Sequence, residues 1–109
     1  MKLVRDRTPE LAGAGQPAAF SEATEAEYGR LLRDKLLEEA AEAASAPGPA
    51  ELLEELGDVL QVLYALASQA GYSPAAIECA RARKARTTGA FTRRVVWHDP
   101  SAREDGTHE

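Results

Sequence analysis

The chain has 109 residues, a single cysteine (Cys79) and a formal net charge of −5. That length suits one domain with a modest core. The negative charge argues against general binding to nucleic-acid polymers, and a lone cysteine excludes an intrachain disulfide and fits a reducing cytoplasm. Lys2, Arg5, Asp6 and Arg7 interrupt the start, so no signal peptide is expected. The longest uncharged stretch, residues 59–77, contains Gln61, Gln69, Gly71 and Pro74 and reads as a core helix and a turn rather than a membrane span.

In chain order, the first element is a charged segment around Arg5-Asp6-Arg7, with Pro9 placed to open a short helical turn. It is either a surface arm or a segment whose Arg5 or Arg7 reaches phosphate. Residues 12–17, Ala-Gly-Ala-Gly-Gln-Pro, read as a flexible connection. A long helix then starts near Ser21 or Thr24, where Thr24-x-x-Glu27 has the form of a capping box. Its apolar positions Tyr28, Leu31, Leu32, Leu36, Ala40 and Ala43 keep helical spacing. Pro47-Gly48-Pro49 ends it and permits a tight reversal.

A second long helix is expected over residues 50–70, stopped by Gly71. Leu52, Leu56, Val59, Leu63, Leu66 and Ala70 form its expected core stripe, widened by Leu60 and Val62. Gly57 lies inside it, either tolerated or permitting close approach by another helix or a ligand. Ser73-Pro74 opens a third helix that reaches Thr87 or Thr88, before Gly89. That helix is basic through Arg81, Arg83, Lys84 and Arg86, with Arg93 and Arg94 close behind. Its charge is either a solvated face or a phosphate grip. Residues 91–97 read as a short strand or an extended tail packed on the bundle, and the polar residues 99–109 as a disordered tail. His98 and His108 have no metal-ligand spacing.

The chemistry gathers on either side of the Pro-Gly-Pro break, in Glu38-Glu39-x-x-Glu42 and Glu54-Glu55-x-x-Asp58. Glu42 and Glu55 are about equally far from the turn, as are Glu39 and Asp58. Residues three apart share a helix face, about 60° apart at 3.6 residues per turn. An antiparallel hairpin therefore brings four carboxylates to one height. Bare anions there would raise one another's pKa or push the helices apart, and a divalent cation resolves the repulsion. All-oxygen ligation favours Mg²⁺ or Mn²⁺ over zinc. The Glu-x-x-His pairs of di-iron bundles are absent. The competing reading is that these glutamates only solvate an outer face and the chain is a non-catalytic acidic helical interaction protein. Asp58, set among Leu60 and Val62, is hard to place wholly in water, so a partner is expected for it.

The pattern Glu38-Glu39-x-x-Glu42 followed by Glu55-x-x-Asp58 resembles the signature of the MazG-like all-α nucleoside triphosphate pyrophosphohydrolases. That group includes MazG, the dimeric dUTPases and phosphoribosyl-ATP pyrophosphohydrolase. The opening Lys2-Leu3-Val4-Arg5-Asp6-Arg7-Thr8-Pro9-Glu10, and Lys84 with Gly89-x-Phe91-x-x-Arg94, resemble the small phosphoribosyl-ATP pyrophosphohydrolase-like subgroup. The resemblance covers residues 2–97 and implies one domain over residues 1–98. It implies a helical hairpin plus a third helix, completed as a four-helix bundle in a homodimer or homotetramer. It further implies Mg²⁺-dependent cleavage of a nucleotide between its α and β phosphates, with Mn²⁺ an alternative ion. Glu39, Glu42, Glu55 and Asp58 would hold the metal. Glu38 would act as base or hold a second ion. Lys35, Arg81, Lys84 and Arg86 would contact phosphate. The substrate stays open between phosphoribosyl-ATP and a non-standard or damaged nucleotide cleared by a house-cleaning enzyme. The subgroup carries a basic residue where this chain has Thr88, a place Arg86 would have to fill.

Overall fold

The computed structural model describes residues 1–12 and 19–99. Every regular element among them is helical: α1 (Thr8–Leu11), α2 (Glu25–Ala44), α3 (Pro49–Gln69) and α4 (Pro74–Thr88). The expected connection over residues 12–17 lies almost wholly outside the described residues, as does the expected tail beyond Asp99. The chain divides into two compact units, Met1–Ile77 and Glu78–Glu109.

Helix α2 starts where its caps dictate. The Thr24 side chain accepts from the Glu27 N–H at 3.2 Å, and the Glu27 carboxylate accepts from the Thr24 N–H at 2.9 Å. Two N–H groups that a helix start leaves unpaired are thereby satisfied. At the far end Ser45 Oγ donates to the Ala41 carbonyl at 2.9 Å. Pro49 then opens α3 at a position where the missing N–H costs nothing. Helix α3 closes in a Schellman turn, with Tyr72 N–H bonded to the Ala67 carbonyl (2.8 Å) and Gly71 N–H to the Ser68 carbonyl (3.0 Å). This turn needs the left-handed backbone of Gly71, whose φ is +91°.

Helices α2 and α3 form the hairpin. Gln69 at the end of α3 donates to the Glu25 carbonyl at the start of α2, which fixes the antiparallel sense. Its buried apolar residues are Leu31, Leu32 and Val62, with Leu32 only 2% exposed. The expected core stripe of α3 therefore needs correction. Val62 is the buried residue, Val59, Leu63 and Leu66 are half-buried, and Leu52, Leu56 and Ala70 are exposed. A single partner helix covers one face of α3 only, and that face runs through Asp58 and Val62. The other apolar residues, Leu53, Leu56, Leu60 and Tyr64, make an uncovered stripe. At Gly57 a Cβ would meet nothing within 4 Å, so within the chain no neighbour approaches closely there.

In the second unit α4 continues to Thr88, where Thr87 and Thr88 both donate to the Lys84 carbonyl. Residues 91–97 form no strand. A turn closed by Arg94 N–H on the Phe91 carbonyl, with Arg94 at φ 58°, breaks the alternation, and Phe91, Val95, Val96 and Trp97 are exposed. No helix among the described residues is long and apolar enough to cross a membrane.

Leu32→Ala should lower stability to urea by about 3 kcal/mol, because it empties the best-packed site of a small core. Gly71→Ala should cost about 1 kcal/mol through its left-handed backbone.

Candidate functional site

Spacing on the hairpin decides what the site is made of. Asp58 lies one helical turn before Val62 and Glu55 one turn before Asp58, so all three share the face turned to α2. Glu39 lies two turns after Leu32 on the matching face of α2. Away from the turn the seam between the helices is aliphatic; near the turn it is carboxylate.

Of the four carboxylates expected to converge, the structure groups Glu39, Glu55 and Asp58 and sets Glu42 in a second group with Glu38 and Glu39. Glu39, Glu55 and Asp58 each offer an oxygen, and the three oxygens lie within 4.8 Å of one another. Glu38, Glu39 and Glu42 do the same, so Glu39 belongs to both groups. The cluster is strained as an anion. Glu39 Oε2 and Glu55 Oε1 are buried and have no hydrogen-bond partner. Burial, followed by the charge of Glu42, pushes the pKa of both Glu39 and Glu55 above the usual glutamate value. Asp58 adds to the rise in each. Unpaired buried oxygens at this spacing suit a hard divalent cation that takes several carboxylate ligands.

Three cations already touch the cluster. Glu38 is held on one oxygen by Lys35 Nζ at 2.7 Å and on the other by Lys2 Nζ at 2.9 Å. Hydrogen bonds from Lys35 and then Lys2 keep its pKa below the usual value. The Arg5 guanidinium donates to Asp58 Oδ1. Lys35, expected to contact phosphate, thus sits in an ion pair with Glu38 on its own helix. Lys2 entered the sequence reading only as part of the charged, family-like opening segment, with no contact expected for it, and Arg5 was read as part of a surface arm or as a phosphate contact. Arg5 and Asp58 are 53 residues apart, and no helical spacing rule spans such a distance. The charged residues among 2–7, and their likeness to the subgroup's opening segment, were the available signals. A cavity of about 540 Å³ lies between this leading segment and the hairpin. Leu3, Arg5, Tyr28, Leu32, Gln61 and Val62 line it, with Glu39 and Asp58 at its acidic end.

The other residues expected to bind phosphate lie on α4 beyond Ile77, in the second unit. Arg81 is paired there with Glu78 one turn earlier, while Lys84 and Arg86 are exposed.

The raised pKa values give a signed pH dependence. An acid whose folded pKa is raised binds more protons folded than unfolded across the interval between the two values. Stability therefore falls as pH rises through that interval, and the penalty is complete above it. Without divalent ions, the melting temperature should rise as pH drops through that interval towards the ordinary glutamate value. It should then fall once Glu38 begins to lose its lysine pairs. Glu55→Gln should raise the melting temperature at pH 7 and flatten the first of these slopes, as read by thermal unfolding in chelator.

Comparison with known proteins sets this geometry in a family. The family model described as phosphoribosyl-ATP pyrophosphohydrolase matches residues 7–85. No curated protein and no solved structure matches the chain. The matched stretch contains the whole hairpin and all five clustered carboxylates. With an all-α hairpin carrying them in register, the chain belongs to the phosphoribosyl-ATP pyrophosphohydrolase family, a MazG-like all-α family of nucleotide pyrophosphohydrolases.

Proposed function

We propose that the chain hydrolyses a nucleotide between its α and β phosphates, releasing a monophosphate and pyrophosphate, with Mg²⁺ as cofactor and Mn²⁺ as a possible substitute. The observation that carries this reading is the pair of partnerless buried oxygens, on Glu39 and Glu55, inside a carboxylate cluster of ligand spacing. Glu39, Glu42, Glu55 and Asp58 would hold the ion. When bound, such an ion neutralises phosphate charge and lowers the pKa of the attacking water.

The chain's own residues do the rest. The antiparallel hairpin fixes the carboxylates on two rigid helices, so little rearrangement is needed to bind. Glu38 shares the second carboxylate group with Glu39 and Glu42, which favours a second ion over the role of base. Its lysine pairs also keep it ionised and make it a weak proton acceptor. Lys35, placed beside Glu38, is positioned to meet a phosphate oxygen once substrate enters. Lys84, with Arg81 and Arg86 on the same helix, is proposed to hold the phosphate tail, as the resemblance implies. Phosphoribosyl-ATP and non-standard nucleoside triphosphates are the substrates to separate.

Pyrophosphate release should be measured with Mg²⁺ across phosphoribosyl-ATP, dUTP, dCTP and oxidised or deaminated triphosphates. At least one should be cleaved, and Glu39→Gln should slow that cleavage by about 100-fold or more. Absence of release from every one, with the protein folded and Mg²⁺ bound, would favour the non-catalytic interaction protein.

The exposed stripe of Leu53, Leu56, Leu60 and Tyr64 supports a second copy as its cover, and with it the proposed four-helix bundle. Light scattering should give a mass of at least two chains. A strict monomer would count against this assembly.

A further inference from the structure

Two ion pairs tie the leading segment to the hairpin, beside partial apolar burial at Leu3 and Val4. Among residues 1–7 Leu3 is half-buried and Val4 is 39% exposed; the others are exposed. The segment's backbone hydrogen bonds run to α1: Thr8 N–H to the Arg5 carbonyl and Leu11 N–H to the Arg7 carbonyl. The ion pairs that reach the hairpin are Lys2 to Glu38 and Arg5 to Asp58. Lys2 and Arg5 also lie outside the residues 7–85 that the family model matches.

Both cations end on the carboxylates that the proposed function gives to metal. Five carboxylates, Glu38, Glu39, Glu42, Glu55 and Asp58, face three cations, Lys2, Arg5 and Lys35. Of these, Lys35 is fixed on α2, whereas Lys2 and Arg5 arrive on a separate, largely exposed segment. We infer that residues 1–7 are a detachable counter-ion strap: Lys2 and Arg5 neutralise the cluster in the metal-free protein, and a divalent cation competes with them. Strap docking and ion binding are then negatively coupled, and the coupling is reciprocal: whatever loosens the strap tightens the ion, and the ion loosens the strap. Detachment also opens the cavity beneath the segment and frees two cationic groups beside the place where phosphate must sit.

This rests on the cluster being a metal site, so the test separates the two claims. Mn²⁺ is titrated calorimetrically into the full chain and into Arg5→Ala, Arg5→Lys, Lys2→Ala and Glu55→Gln. Hydrogen exchange of residues 1–7 is followed with and without Mn²⁺. Arg5→Ala should bind Mn²⁺ about tenfold more tightly, the Coulomb effect of removing one charge beside a dication in a water-like dielectric. Lys2→Ala should shift the same way, and Arg5→Lys should bind as the unaltered chain does. Mn²⁺ should speed exchange in residues 1–7. If Glu55→Gln weakens Mn²⁺ binding while Arg5→Ala and Lys2→Ala leave it unchanged or weaken it, the strap is overturned and the metal site stands. Slower exchange of residues 1–7 with Mn²⁺ also overturns the strap. If no version binds Mn²⁺, or Glu55→Gln binds it unchanged, the metal site and the strap fall together.

Discussion

The seam between α2 and α3 has to hold carboxylates where a hairpin ordinarily holds aliphatic side chains. Leu32 and Val62 occupy it at mid-length, and Glu39, Glu55 and Asp58 continue the same face towards the turn. Because the helices are joined by only a short turn at Ser45–Gly48, the acidic ends cannot separate without breaking the aliphatic part. The apolar packing therefore holds together charges that would otherwise part, and some of the stability gained there is spent on concentrating negative potential. The raised proton affinity of Glu39 and Glu55 is the mark of that opposition.

The protein relieves the field from outside the seam. Lys35 is built into α2, one turn from the cluster, while Lys2 and Arg5 are brought in by the leading segment. Relief is incomplete, since one oxygen each of Glu39 and Glu55 stays buried without a partner. A cluster that is only partly neutralised keeps an appetite for cations. A fully paired one would be an inert ion-pair network of the kind that merely contributes to surface structure.

Much of this was legible in the sequence because it depends on short-range rules. The capping box at Thr24, the proline at position 49 and the left-handed glycine at position 71 each act over a few residues, and α2 starts and α3 starts and stops where those signals put them. The convergence of Glu39, Glu55 and Asp58 followed from equal distances to one turn. Which apolar stripe of α3 faces α2 did not follow, because α3 is apolar on two faces and periodicity alone does not name the partner. Val62 was read as a flank and Leu52 and Leu56 as core, the reverse of their burial. The ties from Lys2 and Arg5 were hidden for a different reason: ion pairs between residues so distant in the chain leave no spacing to detect. Residues 91–97 allowed a strand or an extended tail, and alternation alone cannot supply a neighbouring strand for the backbone to bond.

Placing the anions next to the turn also bears on how the hairpin comes together. In most helical hairpins the contacts nearest the turn form first, since they close the smallest loop. Here those contacts repel until protons, the strap or an ion arrives. The first favourable contacts are the aliphatic ones around Leu32 and Val62, which close a loop of about 30 residues rather than a handful. The added entropy of that closure is about 1–2 kcal/mol. On this count the metal-free hairpin is expected to close first around Leu32 and Val62, and neutralising the cluster would allow a shorter first loop.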